Sequence, residues 1–291
     1  MKKSIIILFA FLINFFNPSF AIRIGLETNA GVIGIGASVN SAIYDVNTNQ
    51  EICTLNPMKG YQVKPFKNKI AIKYGDKYYK IDSDNIVLKI TDKAGFVSVK
   101  GVWYRGNLLI QNKNGRLTVI NDVGIEDYVK GVVPKEMPTG WEPEAIKAQA
   151  IAARSWALAN LGKRSKLGFD LNDTTDDQVY GGASAETAKT NALCDETKGL
   201  VLIYDLKIIP AYYFASAGGQ TADSSSAWGK DLPYIRSVPS FDDHVKKTGH
   251  GVGMSQHGAN NLAKQGYNAY QILQYFYKNI RFARINPEIY P

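Results

Sequence analysis

Apolar and polar positions alternate through the first third of the chain. Ile22-Arg23-Ile24-Gly25-Leu26, Lys69-Ile70-Ala71-Ile72-Lys73 and Ile86-Val87-Leu88-Lys89-Ile90 change character almost residue by residue. A period of two is the signature of strands with one buried face. Asn47-Thr48-Asn49, Tyr74-Gly75-Asp76 and residues 112–115 supply the turns between such runs. Residues 102–110 read as a hairpin about Gly106-Asn107. Near Leu117 the character changes. Leu117-Thr118-Val119-Ile120 is a last strand, residues 124–129 begin a short helix, and residues 143–161 form a long alanine-rich one. Pro143 suits the first turn of that helix and Glu144 its positive end. Ala145, Ala148, Ala152 and Ala153 let it pack closely against a neighbour. Residues 199–204 and 208–214 read as a hairpin around Asp205-Leu206-Lys207. A loop rich in Gly, Ser and Thr follows over residues 215–226, then helices over 260–265 and 269–277. The pattern predicts an α+β protein, with a β-rich region over residues 22–116 and a mixed α+β part over residues 117–291.

The N-terminus adds a compartment. Lys2 and Lys3 precede an apolar run over residues 4–16, broken by Asn17-Pro18, and Ser19-Phe20-Ala21 supplies small residues for cleavage. Residues 1–21 are therefore expected to be a Sec-type export signal. The mature chain would begin at Ile22 and be periplasmic, cell-wall-associated or extracellular. No later segment reads as transmembrane. The formal charge is +8, which suits either attraction to an anionic wall or membrane surface or a merely soluble protein, the commoner case. The lysines are scattered and no aromatic RNA-binding motif accompanies them, which disfavours nucleic acid. Cys53 and Cys194 are the two cysteines, and one distant pair makes no disulfide framework, so both are expected as thiols.

The candidate chemistry centres on Glu136, in Gly131-Val132-Val133-Pro134-Lys135-Glu136-Met137-Pro138. Flanking prolines restrict their neighbours, so this carboxylate is expected on a stiff, extended stretch at the mouth of the long helix. Such placement suits a general acid/base; a solvated loop acid is the plain alternative.

Five peptides then converge in order: E-D-Y-V-K-G-V-V-P-K-E-M-P, A-I-K-A-Q-A-I-A-A-R-S-W-A-L, D-T-T-D-D-Q-V-Y-G-G, Y-Y-F-A-S-A-G-G-Q-T and G-H-G-V-G-M-S-Q-H-G-A. Together they resemble the stage II sporulation protein D (SpoIID/LytB) family over about residues 122–282. The resemblance implies an exported lytic transglycosylase acting on peptidoglycan glycan strands, with a preference for strands stripped of stem peptides. It maps the family's catalytic acid onto Glu136. Gln149, Arg154, Gln178 and Tyr180 are candidates for hydrogen bonds to sugar, or for structural roles. Ser216, Gly218, Gly219 and Thr221 resemble a substrate-cleft loop, or a tight turn after a strand. Trp141, Trp156 and Trp228 offer stacking faces, Trp156 being the better core residue. His250, Ser255 and Gln256 are expected near Glu136. His244, His250 and His257 cluster in sequence without a zincin pattern. Where some family members carry Cys and His around D-T-T, this chain has Asn172, Asp176 and Asp177, so no metal and no cofactor is expected. The alternative from the same resemblance is a non-catalytic wall-binding module that stimulates a cell-wall amidase. A peptidase is disfavoured, since there is no S-x-x-K and Ser255 lacks G-x-S-x-G spacing.

Overall fold

The computed structural model describes residues 21–286. Apart from Ala21, the expected export signal lies outside them. Residues 22–123 supply twelve strands: β1 (Ile22–Ala30), β2 (Ile33–Ala37), β3 (Ser41–Asp45), β4 (Glu51–Leu55), β5 (Tyr61–Phe66), β6 (Lys69–Tyr74), β7 (Lys77–Ile81), β8 (Asn85–Ile90), β9 (Val97–Val99), β10 (Val102–Tyr104), β11 (Asn107–Lys113) and β12 (Arg116–Val123). The helices are α1 (Ile125–Glu136), α2 (Pro143–Ala159), α3 (Ala188–Glu196), α4 (Ser224–Trp228), α5 (Gln256–Lys264) and α6 (Ala269–Phe276). Short strands lie between them: β13 (Leu171–Asn172), β14 (Leu200–Tyr204), β15 (Lys207–Ile208), β16 (Tyr213–Phe214) and β17 (Met254–Ser255), with β18 (Arg281–Arg284) last. The protein is α+β, as its sequence periods require.

Two sheets carry the N-terminal half. One has seven strands in the order β13-β1-β12-β11-β8-β3-β4, the other six in the order β10-β9-β2-β5-β6-β7. Ile24, Ile43, Leu88 and Ile110 from the first and Ile35, Val63, Ile70 and Val97 from the second are buried in one cluster. That is the alternation written in the sequence, with apolar positions facing a shared core. β12 begins at residue 116 and pairs with both β1 and β11. The seven-stranded sheet therefore runs across residue 116, and α1 leaves it directly.

Residues 102–110 are not a hairpin. β10 pairs with β9, while β11 pairs with β8 and β12, so Gly106-Asn107 carries the chain from one sheet to the other. Gly106 has φ +77° and passes so close to the Asp122 carbonyl that any Cβ would collide with it. A glycine needed for a crossing looks, in sequence, like a glycine needed for a turn.

α2 runs through the second half, packed against α1, α3, α5 and α6. Thirteen of its seventeen residues are buried, which explains the alanines. Arg154 lies wholly inside, and its Nε and Nη2 donate to the two carboxylate oxygens of Glu126 at 2.9 and 2.7 Å. Cys53 and Cys194 are both free thiols.

α1 is fixed to the following loop by Gly131. A Cβ here would stand 2.5 Å from the Tyr180 ring. That ring cannot yield, because its hydroxyl donates to Asn121 Oδ1 at 2.8 Å and it packs on Tyr128 and Tyr104. Gly131→Ala gains about 1 kcal/mol of helix propensity, but overpacking a core costs about 1–3 kcal/mol. We expect a net loss near 1–2 kcal/mol, read as a lower midpoint in urea with an unchanged slope.

Candidate active site

Glu136 is the last residue of α1, not part of an extended stretch before a helix. Pro134 lies inside the helix, where its missing N–H leaves the turn before it short of one bond. Met137 alone is extended, with φ −134° and ψ 137°. Pro138 accounts for this, since a residue before proline avoids the helical region. The prolines thus act in sequence: the second stops α1 and leaves Glu136 at its end.

The Glu136 side chain opens into a cleft of ≈ 400 Å³ that is also lined by Trp156, Lys163, Asp177, Gln178, Tyr212, Tyr213, Phe214, Trp228 and His250. Its Oε1 accepts the Val179 N–H at 2.7 Å. Burial raises its pKa, and the Val179 bond, which favours the ionised form, offsets this only in part. The net shift is toward the protonated acid. Gln256 Nε2 donates to the Glu136 carbonyl at 2.9 Å, tying the end of α1 to the start of α5.

The loop that supplies the Val179 N–H is held by Asp177. Its buried carboxylate accepts from Lys163 Nζ at 2.6 Å, Arg164 Nε at 2.5 Å and the Asn172 N–H at 2.7 Å. Burial pushes this carboxyl up, and the three donors together outweigh it, so it sits below the usual range. Its lone pairs are taken by these donors, and Asp176, which also lines the cleft, is exposed and lies 3.9 Å from Arg164 Nη2, so Glu136 is the half-buried carboxyl of the cleft whose pKa is raised. Gln178 is buried beneath: its Oε1 accepts from the Tyr128 hydroxyl at 3.1 Å, and its Nε2 donates to the Tyr213 hydroxyl at 2.9 Å.

His250 lines the same cleft among Phe214 and Trp228, with ring centroids 5.4 and 5.1 Å away. Its Nδ1 accepts the Val252 N–H at 3.0 Å. Burial lowers its pKa, so the imidazole is neutral near pH 7. Trp228, 39% exposed, offers an aromatic face to whatever enters.

Of the three residues expected near Glu136, Gln256 bonds to its carbonyl and His250 lines the same cleft, while Ser255 bonds to Asp242 instead; Gln178 also lines the cleft. Trp156 lines the cleft margin, with Lys163 Nζ 5.2 Å above its ring; Trp141 packs instead on His257. Arg154 is a core ion pair and not a surface contact for a ligand. Gln149 is fully buried and accepts from Gln256 Nε2 at 3.3 Å. Tyr180 is buried on Gly131. Ser216, Thr221 and Ser255 are buried and bonded to Lys246, Val238 and Asp242 respectively. Gly218 and Gly219 have φ of +70° and +108°, and Gly219 donates to Asp242. None of Ser216, Gly218, Gly219, Thr221 and Ser255 is among the residues that line the cleft. Helix position and loop chemistry do not reveal which side of a residue faces a cavity.

Asp242 is the residue that the sequence did not mark. It is fully buried and accepts from Ala217 N at 2.7 Å, Gly219 N at 2.9 Å, and the Ser240 and Ser255 hydroxyls at 2.5 Å. Nothing around Phe241-Asp242-Asp243 distinguishes it locally. Burial pushes the carboxyl up, but these four bonds overcome that and hold it below the ordinary aspartate range. A depressed folded pKa gives stability that is present above the unfolded value and lost as pH falls through the folded one. Asp242→Asn is expected to cost about 1–3 kcal/mol near pH 7 by leaving donors unmatched. It should also flatten the fall in stability between about pH 4 and the folded pKa, measured by urea titrations across pH.

Residues 113–204 match the family model described as stage II sporulation protein. An uncharacterized protein of Brachyspira hyodysenteriae is 32% identical over 206 residues, covering 67% of this chain and 56% of the relative. The amidase enhancer of Bacillus subtilis is 43% identical over 107 residues, 37% of this chain and 14% of the relative. Stage II sporulation protein D of Bacillus amyloliquefaciens is 26% identical over 257 residues, 55% of this chain and 74% of the relative. The chain thus spans about half of the first of these relatives and a seventh of the second.

Proposed function

Taking as premise that the chain belongs to the SpoIID/LytB family, we propose that it acts on the bacterial cell wall as a lytic transglycosylase, with Glu136 as its general acid and base. Glu136 supports this reading: one half-buried carboxyl with a raised pKa at an open aromatic cleft, whose acidic neighbour Asp177 is locked in ion pairs. Protonated Glu136 gives its proton to the oxygen joining N-acetylmuramic acid to N-acetylglucosamine, and the bond from that oxygen to the anomeric carbon breaks. The muramic 6-hydroxyl closes onto the same carbon, and its proton passes to the Glu136 carboxylate. The acid is restored and a 1,6-anhydro end is left. Because the nucleophile is part of the substrate, no second carboxylate is needed to activate water. Trp228 and Tyr212 provide faces for sugar rings, and the Val179 N–H steadies the ionised form midway.

The test incubates residues 22–291 with intact and peptide-stripped glycan and analyses products by mass spectrometry. Anhydro-muramic ends are expected. Reducing ends would mean hydrolysis and sink the proposal.

A second reading rests on the similarity to the amidase enhancer: the same cleft binds glycan without cutting it and raises the activity of a cell-wall amidase. Absence of cleavage together with stimulation of an added amidase, by wild type and Glu136→Gln alike, would favour it.

A further inference from the structure

The outer face of the six-stranded sheet is basic and flat. Strand register fixes which side chains share it: Gln62 stands beside Lys73 and Tyr78, Lys64 beside Ala71 and Lys80, and Phe66 beside Lys69. The opposite face carries Val63, Ile70, Ile72 and Ile81, all buried in the core, so the first set points away from the protein. None of its eight positions is acidic. Lys69 reaches Asp82 at the rim; Lys64, Lys73 and Lys80 have no ion pair among the described residues. β7 is the edge strand, and four of its five residues are exposed. On β2, which neighbours β5, Gly34 shares the face with Gln62, and a Cβ there would meet nothing within 4 Å.

Lys64 and Lys80 flank Ala71 from the two adjacent strands, about 10 Å apart, with Lys73 about 7 Å along the middle strand. Lys64 Nζ lies 3.9 Å from the Tyr78 ring centroid, and the Tyr78 hydroxyl donates to Gln62 Oε1 at 2.9 Å, which holds the ring across the strands. Three lysines without a carboxylate partner among the described residues, around Tyr78 and over a buried Ala71, make a platform for an extended polymer bearing repeated anions. Phe66, 42% exposed at one end, is the one phenylalanine on this face, and no leucine or tryptophan accompanies it to enter a bilayer.

We propose that this face is a second binding surface, taking the carboxylates of peptide-substituted glycan strands and holding the protein on intact wall. The proposal rests on the cell-wall reading above but not on cleavage. Lysine ammonium groups meet the stem-peptide carboxylates while Tyr78 lies on the sugar backbone. The attraction is long-range and salt-sensitive. Glu136 lies at the far end of a helix leaving the other sheet, so wall retention and catalysis are separable.

The test uses residues 22–291 carrying Glu136→Gln to prevent digestion, with and without K64T/K73T/K80T. Each is sedimented with intact peptidoglycan, with peptide-stripped glycan and with phosphatidylglycerol vesicles. The threonine variant should bind intact wall about tenfold more weakly at low salt, with little change on stripped glycan. K64R/K73R/K80R, which keeps the charge, should bind like the parent, separating charge from folding. In a Glu136 background the threonine variant should still cleave short soluble glycans at the parental rate, if the parent cleaves. Undiminished binding to intact wall would overturn the proposal, as would equal loss on stripped glycan or retention by the vesicles alone. Failure of the parent to cleave any glycan would overturn the transglycosylase reading and leave the binding result standing.

Discussion

Glu136→Gln is expected to lower the yield of anhydro-muramic ends by about 10³-fold, within the range that a positioned general acid/base contributes. Glutamine keeps the size and still accepts the Val179 N–H, so the folded state should survive with its midpoint nearly unchanged. It cannot give a proton to the glycosidic oxygen or take one from the 6-hydroxyl, so both halves of the reaction suffer. The pH profile gives a second, independent readout. Wild type must hold Glu136 protonated to begin, and burial raises its pKa. Activity should therefore persist above the ordinary glutamate range and fall as pH rises through the raised value. The residual rate of the glutamine variant should show no such descending limb. A variant as active as wild type, or one that kept the limb, would remove Glu136 from the chemistry.

Much of this site is legible in the sequence, for reasons that differ by residue. Pro138 ends α1 wherever the chain goes, so the position of Glu136 at an element boundary follows from local sterics. Whether the stretch before it is helical does not: Pro134 disfavours helix locally, and burial of Val129, Val132 and Val133 overrides it. The strand alternation is clearest in the six-stranded sheet, which has one dry face; in the seven-stranded sheet Val87, Leu109 and Ile120 are buried with Phe169 on the other face as well, and the apolar runs there are continuous. The crossing at Gly106 is silent, since the constraint is a carbonyl sixteen residues away. Arg154 illustrates the same limit. Its spacing on α2 is visible, but its carboxylate partner lies on α1, and an arginine facing a core looks in sequence like one facing water. Asp242 is the extreme case: its four donors come from three separate stretches of chain.

That Arg154 pair carries the largest stability effect we expect. The guanidinium is wholly buried, and besides Glu126 it donates to the Leu200 carbonyl at 3.1 Å and, weakly, to Ala150. Glu126 Oε1 also accepts the Gly199 N–H at 3.0 Å, so one carboxylate joins α1, α2 and the approach to β14. Glu126→Ala removes the counter-charge and leaves the cation behind, and breaking a buried pair on one side costs about 3–5 kcal/mol. Arg154→Met should cost less, because the carboxylate of Glu126 is nearer solvent and methionine fills part of the space. The double variant is the discriminating one. With both charges gone, no ion is stranded, and its stability should lie above that of Glu126→Ala alone, giving a coupling energy of about 1–3 kcal/mol in a double-mutant cycle. Urea unfolding of the four proteins measures it. Additive losses would mean that the helices are held by packing and that the ion pair is incidental. A strong coupling would mean that α1, and with it Glu136 at its far end, is anchored from beneath by charge.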